Sequence, residues 1–138
     1  MIEGLNHITL SVHNLDISLP FYVDLLGCKP LARWKTGAYL TAGSLWLCLT
    51  LDKNTRQTPL QEYTHIAFTV SSDNFPIMKA KIKSFGVNIW KQNNSEGQSL
   101  YFLDPNGHKL EIHVSGLNDR ITACKQAPYC DMIFFEEP

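Results

Sequence analysis

One segment of this chain recurs within it. Asn6-His7-Ile8-Thr9-Leu10-Ser11-Val12 aligns with Thr64-His65-Ile66-Ala67-Phe68-Thr69-Val70 at an offset of 58 (position 65 against position 7), with histidine, isoleucine and valine identical and the apolar positions in step. A repeat constrains the fold more than any composition figure, because both copies must build the same local structure. The strict alternation in each copy predicts a β-strand with one apolar and one polar face. A helical stretch follows each strand, residues 16–26 closed by Gly27 and residues 73–85 closed by Gly86, where glycine suits a left-handed helix end. Pro20 and Pro76 fall near the first turns, where a missing amide is tolerated, and Pro20 is expected to push the start of its helix later. Three β-like runs come next in each half: 30–34, 37–42 and 45–51, then 87–92, 99–103 and 109–114. Ala42-Gly43-Ser44 and Asp104-Pro105-Asn106-Gly107 supply hairpin turns.

Each half therefore reads as βαβββ, and the fold class is α+β, built from paired modules. Module 1 spans about 4–52 and module 2 about 63–115, joined by a polar linker of about 53–62 that contains Pro59. The tail, 116–138, is predicted to hold a short helix over 117–125, a turn at Pro128-Tyr129 and a strand-like run over 132–135. A lone βαβββ module leaves one sheet face uncovered, so two modules, or two chains, are expected to close around a shared cavity.

The 138 residues suffice for one sizeable core and not for two independent domains. A net charge of −1 argues against a broad grip on nucleic acid. The longest apolar run, Leu45-Trp46-Leu47-Cys48-Leu49, is far below the ~20 residues that span a bilayer, and Glu3 stands where a secretory leader carries basic residues. The expectation is a cytoplasmic protein with no membrane or nucleic-acid partner. Cys28, Cys48, Cys124 and Cys130 show no CxxC spacing and are read as reduced, packed thiols.

Strand parity points to chemistry. Ile8, Leu10 and Val12 share one face, leaving His7, Thr9 and Ser11 opposite; Ile66, Phe68 and Val70 leave His65, Ala67 and Thr69 opposite; Leu110, Ile112 and Val114 leave Lys109, Glu111 and His113 opposite. If the reverse faces line one cavity, His7, His65 and Glu111 meet there. Two neutral imidazoles and a carboxylate suit a divalent metal with open positions. For any one of these residues, a satisfied histidine or a solvated strand charge is the bland alternative; the equivalent placement of two histidines in duplicated strands favours the ligand set. His13, His108 and His113 lack that support and are turn residues or neighbours of the ligands.

The duplicated βαβββ pattern with His7, His65 and Glu111 resembles the vicinal oxygen chelate (glyoxalase) superfamily. Gly4-Leu5-Asn6-His7, Gly37-Ala38-Tyr39-Leu40, Tyr63-Thr64-His65, Ser95-Glu96-Gly97, Tyr101-Phe102-Leu103-Asp104-Pro105 and Gly107-His108-Lys109-Leu110-Glu111 resemble, more narrowly, the FosA-type fosfomycin:glutathione transferases. That resemblance implies a domain-swapped homodimer in which His7 of one subunit joins His65 and Glu111 of the other around Mn²⁺. It also implies the reaction, addition of the glutathione thiolate to the epoxide of fosfomycin, giving antibiotic resistance. Thr9, Lys91, Ser95, Tyr101 and Arg120 match the family's catalytic and phosphonate-binding positions, and Trp46 the apolar wall beside the epoxide. Asn93, Ser95, Glu96, Gly97 and Ser99 match its K⁺ loop. Trp34, Tyr39 and Asn94 fall on the glutathione side, where Asn94 replaces the family's arginine.

Other readings have sequence discriminants. Hydrolysis needs a carboxylate base, and residues 43–49 offer none. Another thiol, bacillithiol or cysteine, competes with glutathione because of Asn94. A dioxygenase or isomerase on the same scaffold has no need of Lys91, Tyr101 and Arg120 together. A non-catalytic antibiotic-binding dimer has no need of all three metal ligands.

Overall fold

The computed structural model describes residues 1–135, so the last three positions of the expected tail lie outside the described residues. The elements run β1 (His7–Val12), α1 (Leu15–Pro20), β2 (Lys29–Trp34), β3 (Gly37–Ala42), β4 (Leu45–Leu51), β5 (Ile66–Thr69), α2 (Asn74–Ser84), β6 (Ile89–Lys91), β7 (Ser99–Leu103), β8 (Lys109–His113) and α3 (Leu117–Gln126). Two four-stranded sheets result, ordered β1-β4-β3-β2 and β5-β8-β7-β6. In each, the first strand pairs parallel with the last and the others pair antiparallel. The α+β class and the duplicated βαβββ order match the sequence reading.

Four local expectations need correction. Pro20 does not delay its helix: α1 starts at Leu15, capped by Asn14 Oδ1 accepting from the Asp16 amide, and continues through Pro20 into a π-helical turn, Phe21–Leu25. Proline has no amide for the α ladder, and the chain shifts to wider bonds such as Leu26 N–H to Phe21 O at 3.1 Å. The first strand of module 2 begins one residue after His65, and β6 is shorter than expected. The run 132–135 forms no strand.

The apolar faces of both sheets and the helices share one core. Leu10, Val12, Leu40, Leu47 and Leu49 from the first sheet belong to the same buried cluster as Leu100, Phe102, Leu110 and Ile112 from the second, with Phe21, Leu25, Phe75 and Ile82 from the helical segments. Fully burying one such side chain is worth about 1.5–3 kcal/mol, so neither module holds a complete core alone. A polar clamp reinforces the junction. Tyr22 hydroxyl donates to Asp104 Oδ2 at 2.7 Å, and Asp104 Oδ1 accepts the amides of Asn106 and His108, each at 2.8 Å. Asn106 accepts the His13 amide, while His108 Nε2 bonds the Ser11 carbonyl at 2.8 Å. His108 thus serves the fold, and His13 contributes its backbone. All four cysteines are free thiols, three of them buried.

Candidate metal centre

Register builds the site. Across the second sheet, Ala67 faces Glu111, Glu111 faces Tyr101 and Tyr101 faces Lys91. Paired residues project to the same side of a sheet, so one row places a carboxylate between a small residue and a phenol, with a lysine at its end. His65 enters just ahead of β5, and its Nε2 lies 2.9 Å from Glu111 Oε2. The side-chain exposures, 22% for His65 and 7% for Glu111, place the pair at the floor of an open cleft of about 540 Å³. Tyr63, Lys91, Ser95, Tyr101 and Arg120 are among its lining residues.

The donor set fits a divalent cation. His65 Nδ1 donates to the Tyr63 carbonyl at 3.1 Å. With its proton on Nδ1, the ring turns the Nε2 lone pair toward the Glu111 oxygen, an arrangement that a bound cation between the two acceptors would satisfy. Glu111 Oε1 is fixed separately by the Ser99 hydroxyl at 2.5 Å. His7 is set up similarly, its Nδ1 bonded to Asn6 Oδ1 at 2.7 Å, which leaves Nε2 free to ligate.

Within one chain, however, His7 stays apart. It lies on the first sheet against Trp46, ring centroids 4.5 Å apart. No group of three His, Cys, Asp or Glu side chains suited to a metal occurs among the described residues. Thr9, Trp34, Tyr39 and Trp46 share His7's sheet, with Trp34, Tyr39 and Trp46 forming a ladder of edge-to-face contacts at 4.7 and 5.2 Å. These aromatics are about two-fifths exposed. The expected site residues thus divide between two surfaces: His65, Lys91, Ser95, Tyr101, Glu111 and Arg120 gather on the second sheet, and the rest of the first-module set does not reach them.

Lys91 and Arg120 line the cleft with Glu111, and Glu96 lies 3.7 Å from Arg120. Lys91 Nζ donates to the Tyr63 hydroxyl and lies 4.6 and 4.8 Å from the Tyr63 and Tyr101 ring centroids. The hydrogen bond to Tyr63 raises the lysine's pKa above its ordinary value, keeping it charged at neutral pH. Arg120 Nη2 donates to Ser95 Oγ at 3.3 Å and to the Glu96 carbonyl at 3.2 Å. The oxygen-rich loop is folded on itself: Asn93 Nδ2 donates to Gly97 O at 2.9 Å, and Asn93 Oδ1 accepts from Ser95 N–H and Oγ. Asn94 is exposed at its tip. The Ser99 hydroxyl, at the loop's end, engages Glu111 and His113.

Two contributors escaped the sequence reading. Tyr63 orients His65 through its carbonyl and holds Lys91 through its hydroxyl. Trp90 donates its indole N–H to Leu110 O at 3.1 Å, and its ring lies 5.6 Å from His65 and 5.2 Å from Tyr101. Their proximity in sequence to His65 and Lys91 was the available signal.

Comparison with known proteins agrees with the geometry. The family model described as Glyoxalase/Bleomycin resistance protein/Dioxygenase superfamily matches residues 4–112. Glutathione transferase FosA of Serratia marcescens is 52% identical over 136 residues, 97% of this chain and 96% of that protein. Metallothiol transferase FosB of Staphylococcus epidermidis is 41% identical over 131 residues, 92% and 94% of the two chains. The crystal structure of the fosfomycin resistance protein FosX from Listeria monocytogenes, complexed with Mn(II) and sulfate ion, matches with a TM-score of 0.74 at 29% identity, covering 88% of this chain and 99% of that one. Paired modules, parity-matched histidines and these likenesses agree: the chain belongs to the Glyoxalase/Bleomycin resistance protein/Dioxygenase superfamily and, within it, to the FosA family.

Proposed function

We propose that this protein inactivates fosfomycin by metal-assisted transfer of glutathione to its epoxide. The observation that carries the reading is the cleft that sets Lys91 and Arg120 beside the His65–Glu111 pair, in a chain 52% identical to a glutathione transferase FosA. A small epoxide bearing a phosphonate needs fixed cations for its anionic end and a Lewis acid for its ring oxygen. The cleft residues are of the right kinds.

His65 and Glu111, with His7 of a second copy, would hold a divalent ion such as Mn²⁺, which when bound supplies Lewis acidity for opening an oxirane. Lys91 and Arg120 hold the phosphonate by charge, and Ser95 and Tyr101 orient it by hydroxyl donation. The thiolate sulfur bonds to the epoxide carbon next to phosphorus as that carbon's bond to oxygen breaks, and the oxygen then takes a proton from solvent. From the first sheet of the second copy, Thr9 meets the epoxide oxygen, Trp46 walls the ring, and Trp34 and Tyr39 face glutathione, while Asn94 faces it from the tip of the 93–99 loop. The exposed aromatic ladder and the isolation of His7 support this shared, dimeric site. The loop of Asn93, Ser95, Glu96, Gly97 and Ser99 binds K⁺ through oxygen donors that suit a hard cation. Cytoplasmic localisation accords with glutathione as co-substrate; no helix among the described residues is long and apolar enough to cross a membrane.

The test is adduct formation followed by mass spectrometry, with fosfomycin, Mn²⁺ and K⁺ and either glutathione, cysteine, bacillithiol or water alone. A glutathione adduct that disappears with a chelator is the expected result. Preference for another thiol or for water overturns the nucleophile, and intact fosfomycin in every arm overturns the substrate.

A further inference from the structure

His113 has no part in the function proposed above, yet it stands in the middle of a continuous polar strap. Ser99 Oγ lies 2.5 Å from Glu111 Oε1 and 2.6 Å from His113 Nδ1. The ring's other nitrogen, Nε2, lies 2.7 Å from Ser115 Oγ, which reaches Glu96 Oε2 at 3.3 Å. Glu96 in turn faces Arg120 Nε at 3.7 Å. Register places the components, since Ser99 and His113 are paired across β7 and β8 and Glu111 projects from the same face.

Proton counting gives the strap a direction. Ser99 has one hydroxyl proton, and an ionised Glu111 can only accept, so that proton goes to the carboxylate and His113 Nδ1 must donate to Ser99. Ser99 acting alone could rotate away; an imidazole N–H on its lone pair fixes it. The 93–99 loop is seated against the same ring. A Cβ on Gly97 would lie 2.5 Å from Ser115 Oγ and 3.0 Å from His113 Cε1, and the residue has φ +81°. Only glycine combines that backbone with that approach.

We propose that His113 is a positioning residue that locks the Glu111 carboxylate through Ser99, with Ser115 holding the ring's other nitrogen. Groups that orient a ligating side chain typically change metal affinity by about 10- to 100-fold when removed. The proposal rests on the reading of Glu111 as a metal ligand.

The experiment measures Mn²⁺ affinity of the full-length protein by the electron paramagnetic resonance signal of free Mn²⁺, without fosfomycin or thiol. His113→Phe is expected to weaken binding about 10- to 100-fold. His113→Asn, whose amide can offer an N–H to Ser99, is expected to recover most of it. Ser99→Ala should show a comparable loss, and adding His113→Phe to it should cost less than His113→Phe alone, because the serine at 2.6 Å is nearer to Nδ1 than the Glu111 oxygen at 3.4 Å. Circular dichroism melts identify any variant that does not fold, and Ser99→Ala, the smallest change, then supplies the test. Affinity kept within about twofold in both His113→Phe and Ser99→Ala, while Glu111→Gln loses binding, overturns the proposal alone. Unchanged affinity in Glu111→Gln overturns the metal reading and the proposal with it.

Discussion

The two modules repeat one backbone and differ in what they mount on it. At equivalent strand positions, module 1 carries the row Thr9, Cys48, Tyr39 and Ala32, and module 2 carries Ala67, Glu111, Tyr101 and Lys91. A buried thiol stands where the second copy has a carboxylate, and alanine stands where it has lysine. Around Glu111 the side chains are cross-braced by His65, Ser99 and His113. Around His7 there is one bond, to its neighbour Asn6, and a row of half-open aromatics. The duplicated strands preserve a histidine in each half, while charge and bracing are confined to one. In the proposed function, module 2 is the anion and metal half and module 1 an apolar wall offering one ligand.

The largest effect should come from breaking the charged half. Glu111→Ala or His65→Ala is expected to lower adduct formation by about 10²- to 10³-fold or more, since several kcal/mol of charge stabilisation disappears. Both variants should still fold, as circular dichroism would show, and unchanged turnover in either would remove them from the site. His7→Ala should be as damaging despite its isolation within one chain. Mixing His7→Ala with Glu111→Ala subunits sharpens the comparison: in a shared two-fold dimer one of the two sites in each mixed dimer is intact, so about a quarter of wild-type activity returns. No recovery would mean that the modules do not complete one another between copies.

The junction between the modules comes next. Asp104→Ala removes the acceptor for Tyr22 and two amides, and a stability loss on the order of 3 kcal/mol is expected in urea melts. A loss well below about 1 kcal/mol would show that the core alone joins the halves.

A smaller effect concerns alkaline pH. Burial pushes the Cys28 thiol from 9.0 up to about 11, and burial with the adjacent Asp104 charge pushes the Tyr22 hydroxyl well above 10. Both groups hold their protons more tightly folded than unfolded. Their contribution is complete below the unfolded values and falls away as pH rises through the folded ones. Thermal stability should therefore decline from about pH 9 upward, less steeply in Cys28→Ala and Tyr22→Phe; equal slopes in all three proteins would refute this. Smallest on stability is Trp34→Ala, expected to cost under about 1 kcal/mol because the ring is exposed. In the proposed reaction it should raise the KM for glutathione and leave that for fosfomycin unchanged.

Much of this was legible in the chain before any coordinate. The offset between His7 and His65, the glycines closing both helices and the alternation in each strand specified paired βαβββ units, because periodicity and turn chemistry are local properties. Parity likewise put Glu111 on the face of His65. Local signals failed where the partner lies far off in sequence. Pro20 marks a disturbed ladder but does not tell whether the chain breaks or widens there, and the burial of Phe21, Tyr22 and Leu25 keeps it helical. Nothing near His108 reveals that its ring braces Ser11 across the module junction.

The sequence by itself determined the duplicated architecture and the kinds of ligand, since both follow from side-chain period and chemical type. Only the tertiary structure decided that His65 and Glu111 meet at 2.9 Å while His7 remains on the other sheet, and that Ser99 turns to the carboxylate. Those outcomes depend on strand register and sheet order, and residues 46 positions apart become neighbours only once both are fixed.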